Sequence, residues 1–134
     1  MKYLLDTDIC VYVLNGDERI KRKIREMGVY SISISNATLG ELYFGAYYSK
    51  KVEENIKRIR AFTESLTIYS DSQESSEIFG KSKADLKKKG QMIEDFDLLI
   101  GSIAQANNCV LVSNNRDHFN RIEGLVIENW LETR

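Results

Sequence analysis

The chain has 134 residues, of which 43% are hydrophobic and 29% charged, with a formal net charge of −1. That length suits one compact domain over residues 1–134 with a proper core, and the charge balance excludes a protein that binds nucleic acid through a global basic field. No apolar stretch approaches the roughly 20 residues that span a bilayer, and Asp6 and Asp8 interrupt what would otherwise be a leader segment, so a cytoplasmic protein is expected.

In chain order, Tyr3, Leu4 and Leu5 read as the end of a short buried strand over residues 2–5. Asp6, Thr7 and Asp8 then supply acceptors for a helix start, and the short apolar helix over residues 9–14 stops at Asn15-Gly16. A charged helix over residues 17–27 presents Ile20, Ile24 and Met27 on one face. Residues 29–34 read as a second strand, in which Ile32 and Ile34 alternate with serines. Ser35 or Asn36 caps the next helix, which carries Thr38, Glu41, Leu42 and Ala46.

A polar helix is expected over residues 52–63 and a third strand over residues 66–69. Asp71 or Ser72 caps a long helix that runs to Lys89 and stops at Gly90. Asp95 is a plausible cap for a helix over residues 96–107, followed by a fourth strand over residues 110–112. Residues 114–119 form a loop and short helix, and Val126 and Ile127 open a last strand. Strands alternating with helices predict an α/β fold: a three-layer α/β/α arrangement around a mainly parallel sheet of four to five strands. Cys10 and Cys109 have no Cys or His at ligand spacing, so they read as buried free thiols.

The acids carry the chemistry. Asp6 and Asn115 follow strands, Glu41 lies early in the helix after the second strand, and Asp97 opens a helix. In a doubly wound parallel sheet these positions converge on the carboxyl ends of the strands, where ligands bind. Such an oxygen-rich pocket suits Mg²⁺ or Mn²⁺ and points to metal-assisted cleavage of a phosphodiester. Each acid also has a plainer reading. Asp6 is equally good as a helix cap, and Asp97 shares its dipole position with Glu94 and Asp95. Glu41, between Leu39 and Leu42, would be costly to bury unless paired or bound to an ion. Basic clusters at residues 21–25, 50–60 and 81–89 can hold phosphates, or are solvated helix faces. Tyr43, Phe44, Tyr47 and Tyr48 can stack bases, but read first as core and subunit interface.

Four segments in order resemble the PIN-domain ribonucleases, and within them the VapC-type toxins of toxin–antitoxin pairs. They are Tyr3-Leu4-Leu5-Asp6-Thr7-Asp8-Ile9, with Asp8 where Asn is more frequent; Ile32-Ser33-Ile34-Ser35 with Thr38, Glu41-Leu42 and Gly45; Phe96-Asp97-Leu98-Leu99-Ile100, with Gly101 where Ala is common; and Leu111-Val112-Ser113-Asn114-Asn115 with Phe119. The tail from Gly124 to Trp130 is similar as well.

The resemblance implies a PIN-like fold and an Mg²⁺- or Mn²⁺-dependent endoribonuclease with a VapB-type antitoxin partner, usually a homodimer. It places Asp6, Glu41 and Asp97 at the family's acidic positions, with Asp6 and Asp97 as direct metal ligands and Glu41 orienting a water or a second ion. Asn115 falls on the fourth position, where Asp is common, and Asp117 is a possible substitute for the missing charge. Thr7 and Asp8 are possible supporting residues. The expected reaction is in-line attack by metal-activated water, with tRNA as the substrate and translation as the process stopped. His118, the single histidine, reads as an exposed loop residue rather than a catalyst. The alternatives are a PIN nuclease of RNA processing without an antitoxin and an inactive PIN binding module.

Overall fold

A computed structural model describes residues 1–132. Its centre is a sheet of five strands: β1 (Tyr3–Leu5), β2 (Ile32–Ser35), β3 (Thr67–Tyr69), β4 (Val110–Val112) and β5 (Ile127–Glu128). They lie in the order β3-β2-β1-β4-β5, and every pairing is parallel. β1 is therefore central, with Tyr3 beside Ile32 on one flank and Val110 on the other.

Side chains alternate across the sheet. Tyr3, Leu5, Ile32, Ile34, Val110 and Val112 face one layer, made of α1 (Thr7–Leu14), α2 (Glu18–Met27), α3 (Asn36–Tyr47) and α4 (Val52–Thr63). Leu4 and Leu111 face the opposite layer, made of α5 (Gln73–Lys89), α6 (Asp95–Ala106) and α7 (Arg116–Phe119). Leu4, Leu5, Ile32, Ile34, Leu111 and Val112 are all fully buried, and each such side chain stabilises the fold by roughly 1.5–3 kcal/mol. The expected α/β/α layering is present, and the sheet is wholly parallel. Cys10 and Cys109 are both buried free thiols. Among the described residues, no helix is long and apolar enough to cross a membrane.

Local chemistry sets the element ends. Asp17, Ser35 and Ser72 cap α2, α3 and α5 by accepting backbone N–H groups. Gly90 ends α5 in the left-handed conformation, at φ 67°, where a side chain would be strained.

Three expected boundaries are corrected. Residues 29–31 are a turn of 3₁₀ helix, and the second strand begins only at Ile32. The first helix opens at Thr7 instead of residue 9, because Asp6 already caps it. The sixth helix opens at Asp95, so Glu94 occupies the cap position and makes no side-chain cap bond. Asp95 instead pairs with Lys83 at 3.0 Å.

Gly101 packs α6 against the chain beyond α7. A methyl group there would lie 2.9 Å from Ile122 Cδ1 and 3.4 Å from Leu125 Cδ2. Ile122 thus fills the space that an alanine at this position would take.

Candidate active site

Because all strands run parallel, the segments leaving β1, β2 and β4 emerge at one edge of the sheet. A cleft of about 350 Å³ opens there, lined by Asp6, Thr7, Asp8, Glu41, Glu94, Phe96, Asp97, Ile100, Asn115 and His118. Four of its members, Asp6, Glu41, Asp97 and Asn115, come from four separate segments of the chain.

Asp6 is the most constrained of them. Its N–H bonds to Val112 O at 3.0 Å, continuing the β1–β4 pairing by one residue. Its Oδ1 accepts the Ile9 N–H at 2.9 Å, and the fully buried Ser113 hydroxyl lies near enough to the same carboxylate to favour its ionised form. Asp6 is therefore a helix cap and a cleft residue at once. Burial raises its pKa to about 6, against the Ser113 hydroxyl and the Ile9 hydrogen bond, and the charges of Asp8 and Asp97 push it further up.

Asp97 lies in the first turn of α6 and is half-buried. Burial raises its pKa as well. The His118 ring opposes the rise, and Glu94 and Asp8 add to it. Asp8 and Glu94 are themselves exposed at the rim.

Glu41 lines the cleft, but it is exposed, so the argument from its burial beside Leu39 and Leu42 is overturned. Leu42 and Ala46, four residues apart, turn into the core and leave Glu41 at the mouth. Thr7 supports the wall: its hydroxyl lies 3.1 Å from that of the buried Thr38, which the Ser35 hydroxyl joins at 3.3 Å. Asn115 reaches the cleft from the loop after β4, its N–H bonded to Ser113 Oγ at 2.9 Å.

Two residues on the next turn are Asp117, the possible substitute for the missing charge, and His118, the expected exposed loop residue. Asp117 is exposed on α7 and does not line the cleft. His118 does line it, with Nδ1 2.9 Å from Asn115 Nδ2 and 3.6 Å from Asp97 Oδ2. The signal was the spacing: residues 115 and 118 are three apart, which puts them on one face of a helical turn. Ser113, a strand-end hydroxyl between Asp6 and Asn115, had no comparable signature in the sequence.

Among the described residues, no three His, Cys, Asp or Glu side chains close into a ready-made metal cage. The donor chemistry nevertheless fits a hard cation, since the polar lining is mainly carboxylate, amide and hydroxyl oxygen, with one imidazole and no thiolate. Mg²⁺ keeps several of its waters and needs only one or two carboxylates. The raised pKa values of Asp6 and Asp97 mark negative charge crowded into a poorly solvated place, which a cation would relieve.

Thr7 and Glu41 also border a second, mainly apolar groove of about 240 Å³ between α1, α3 and α4, with Val11, Leu14, Leu42 and Ile59 among its walls. Of the aromatics near Glu41, only Tyr43 packs on the core, whereas Phe44, Tyr47 and Tyr48 are exposed.

Residues 3–125 match the model of the PIN domain. The chain is 39% identical to ribonuclease VapC2 of Rickettsia felis, over 97% of this chain and 98% of that protein. It is 30% identical to the tRNA(fMet)-specific endonuclease VapC of Salmonella typhimurium, over 97% of this chain and 98% of the other. Among solved structures, VapBC2 from Rickettsia felis bound to a DNA fragment from its promoter contains a chain that superposes with a TM-score of 0.91 at 37% identity, covering 97% of this chain and 99% of that one.

Proposed function

The chain belongs to the PIN-domain family, and from that premise we propose that it is the endoribonuclease toxin of a VapBC-type toxin–antitoxin pair, dependent on Mg²⁺ or Mn²⁺. The observation that carries this reading is the meeting of Asp6, Glu41, Asp97 and Asn115 in one cleft, in a chain similar along nearly its whole length to a ribonuclease.

Asp6 and Asp97 would hold the cation, with Glu41 and Asn115 beside them. When bound, the ion lowers the pKa of a water and stabilises charge on the scissile phosphate. The rest of the work falls to the chain itself. Asp6 is aimed by the Ile9 N–H, and the nearby Ser113 hydroxyl favours its ionised form. Glu41, exposed on a longer stem, orients the attacking water at the mouth. Thr7 and Thr38 fix the spacing of the helices that carry Asp6 and Glu41. In-line attack on the phosphate then leaves a 5′-phosphate and a 3′-hydroxyl.

The substrate is tRNA, a reading supported by the Salmonella relative's name, and the consequence is arrest of translation in the cytoplasm. The antitoxin partner is of VapB type. Its segment lies in the apolar groove that shares Thr7 and Glu41 with the cleft, and a basic side chain extends to the acids. The toxin is a homodimer, to which the exposed ring faces of Phe44, Tyr47 and Tyr48 contribute.

The test is incubation of antitoxin-free protein with a total tRNA pool and Mg²⁺, with cut ends mapped. Discrete cuts in one or a few tRNAs are expected. Cutting confined to other RNAs would overturn the substrate, and no cutting of any RNA would overturn the nuclease in favour of a binding module.

A further inference from the structure

Asn115 differs chemically from the carboxylates around it. A carboxylate offers oxygen at both ends, so half a turn changes nothing. An amide offers oxygen at one end and NH₂ at the other, and only the oxygen can face a cation. Something must fix which end of Asn115 meets the cleft.

His118 is placed to do so. Asn115 and His118 belong to one turn, closed by the Phe119 N–H to Asn115 O bond at 3.2 Å. Asn115 Nδ2 lies 2.9 Å from His118 Nδ1. When Nδ1 accepts that N–H, the ring proton is on Nε2 and the nitrogen end of the amide is taken. The oxygen end is left for the cleft that Asn115 lines. Asp97 Oδ2, 3.6 Å from the same Nδ1, is too far for a hydrogen bond. It nevertheless favours the other tautomer, in which Nδ1–H would meet the amide oxygen. A cation held by Asp97 would oppose that preference, and the 2.9 Å contact to Asn115 Nδ2 is the one in which Nδ1 accepts.

We propose that His118 is a positioning residue: through Nδ1 it holds the amide of Asn115 with its oxygen toward the cleft, and so allows an asparagine to serve in a cation site. This rests on the cation reading above. The Asn115–His118 pair then acts as a unit that an aspartate at position 115 would not need.

The experiment is a Mn²⁺ titration of the full chain by calorimetry, with thermal unfolding recorded for each variant. With Asn115 present, His118→Ala is expected to weaken Mn²⁺ binding about 10–100-fold. In the N115D background the same change is expected to weaken it less than about three-fold, because the two substitutions are coupled. His118→Asn, whose amide oxygen can serve as the acceptor near the place of Nδ1, is expected to retain most of the affinity. Equal losses in both backgrounds, or undiminished binding by His118→Ala, would overturn the inference and leave the cation reading standing. Failure of the unaltered chain to bind Mn²⁺ would overturn both.

Discussion

The hydroxyls of Thr7 and Thr38 meet at 3.1 Å, joining the first turn of the helix that Asp6 caps to the first turn of the helix that carries Glu41. Thr38 is fully buried and is also bonded to Ser35, so its hydroxyl has no water to fall back on. Thr38→Val keeps the shape but leaves two hydroxyls short of a partner, and is expected to destabilise the fold by about 1–3 kcal/mol in urea unfolding. Thr38→Ser keeps the hydroxyl and should retain more of the catalytic rate than the valine variant. Equal rates for the two would separate this contact from the spacing of Asp6 and Glu41.

Stability should depend on pH through Asp6. Its pKa in the folded chain, about 6, lies above the ordinary value of 3.8. Between those values the folded chain keeps a proton that the unfolded chain has released. The stabilising contribution is thus fully present below the ordinary value and is lost as pH rises through about 6. Its size is roughly 3 kcal/mol. Asp97 shifts in the same direction. In EDTA, the urea midpoint is expected to fall from pH 5 to pH 8. Asp6→Asn should flatten that fall, and Mg²⁺ at pH 8 should reverse part of it by binding the ionised form.

Glu41 offers a separation of function from folding. Because it is exposed, Glu41→Gln is expected to change stability by less than about 0.5 kcal/mol. RNA cleavage by the same variant is expected to fall by about 10²-fold or more. Loss of both together would make Glu41 a structural residue.

Gly101 yields a packing prediction. Alanine favours a helix over glycine by about 1 kcal/mol, but its methyl group would press on Ile122 Cδ1. In an Ile122→Val background, which removes that atom, Gly101→Ala is expected to stabilise the chain by up to about 1 kcal/mol. In the unaltered chain it is expected to gain less, and a double-mutant cycle of urea midpoints measures the difference.

Much of this arrangement was legible in the sequence because local and tertiary signals agree. The apolar run before Asp6 is a central strand, and Asp-Thr-Asp after it is both helix start and cleft wall. Ser72 and Gly90 bracket α5 as their side chains dictate. Elsewhere one signal masked another. Val29 and Tyr30 are strand-forming residues, yet Gly28 turns the chain at φ 89° and Tyr30 points to solvent, so a single 3₁₀ turn forms there. The apolar neighbours of Glu41 suggested burial, but their face of α3 turns away from it. The Asn115–His118 pairing was legible as a three-residue spacing, but Asp97, the other neighbour of His118, belongs to a segment that meets it only through the fold.

The most direct test of the central claim is cleavage of one mapped RNA by the unaltered chain and by Asp97→Asn, each with Mg²⁺ and with EDTA, after circular dichroism shows both folded. The account predicts discrete cuts with 5′-phosphate ends for the unaltered chain in Mg²⁺, none in EDTA, and a loss of about 10²-fold or more in the variant. Undiminished cutting in EDTA, or by folded Asp97→Asn, would contradict it.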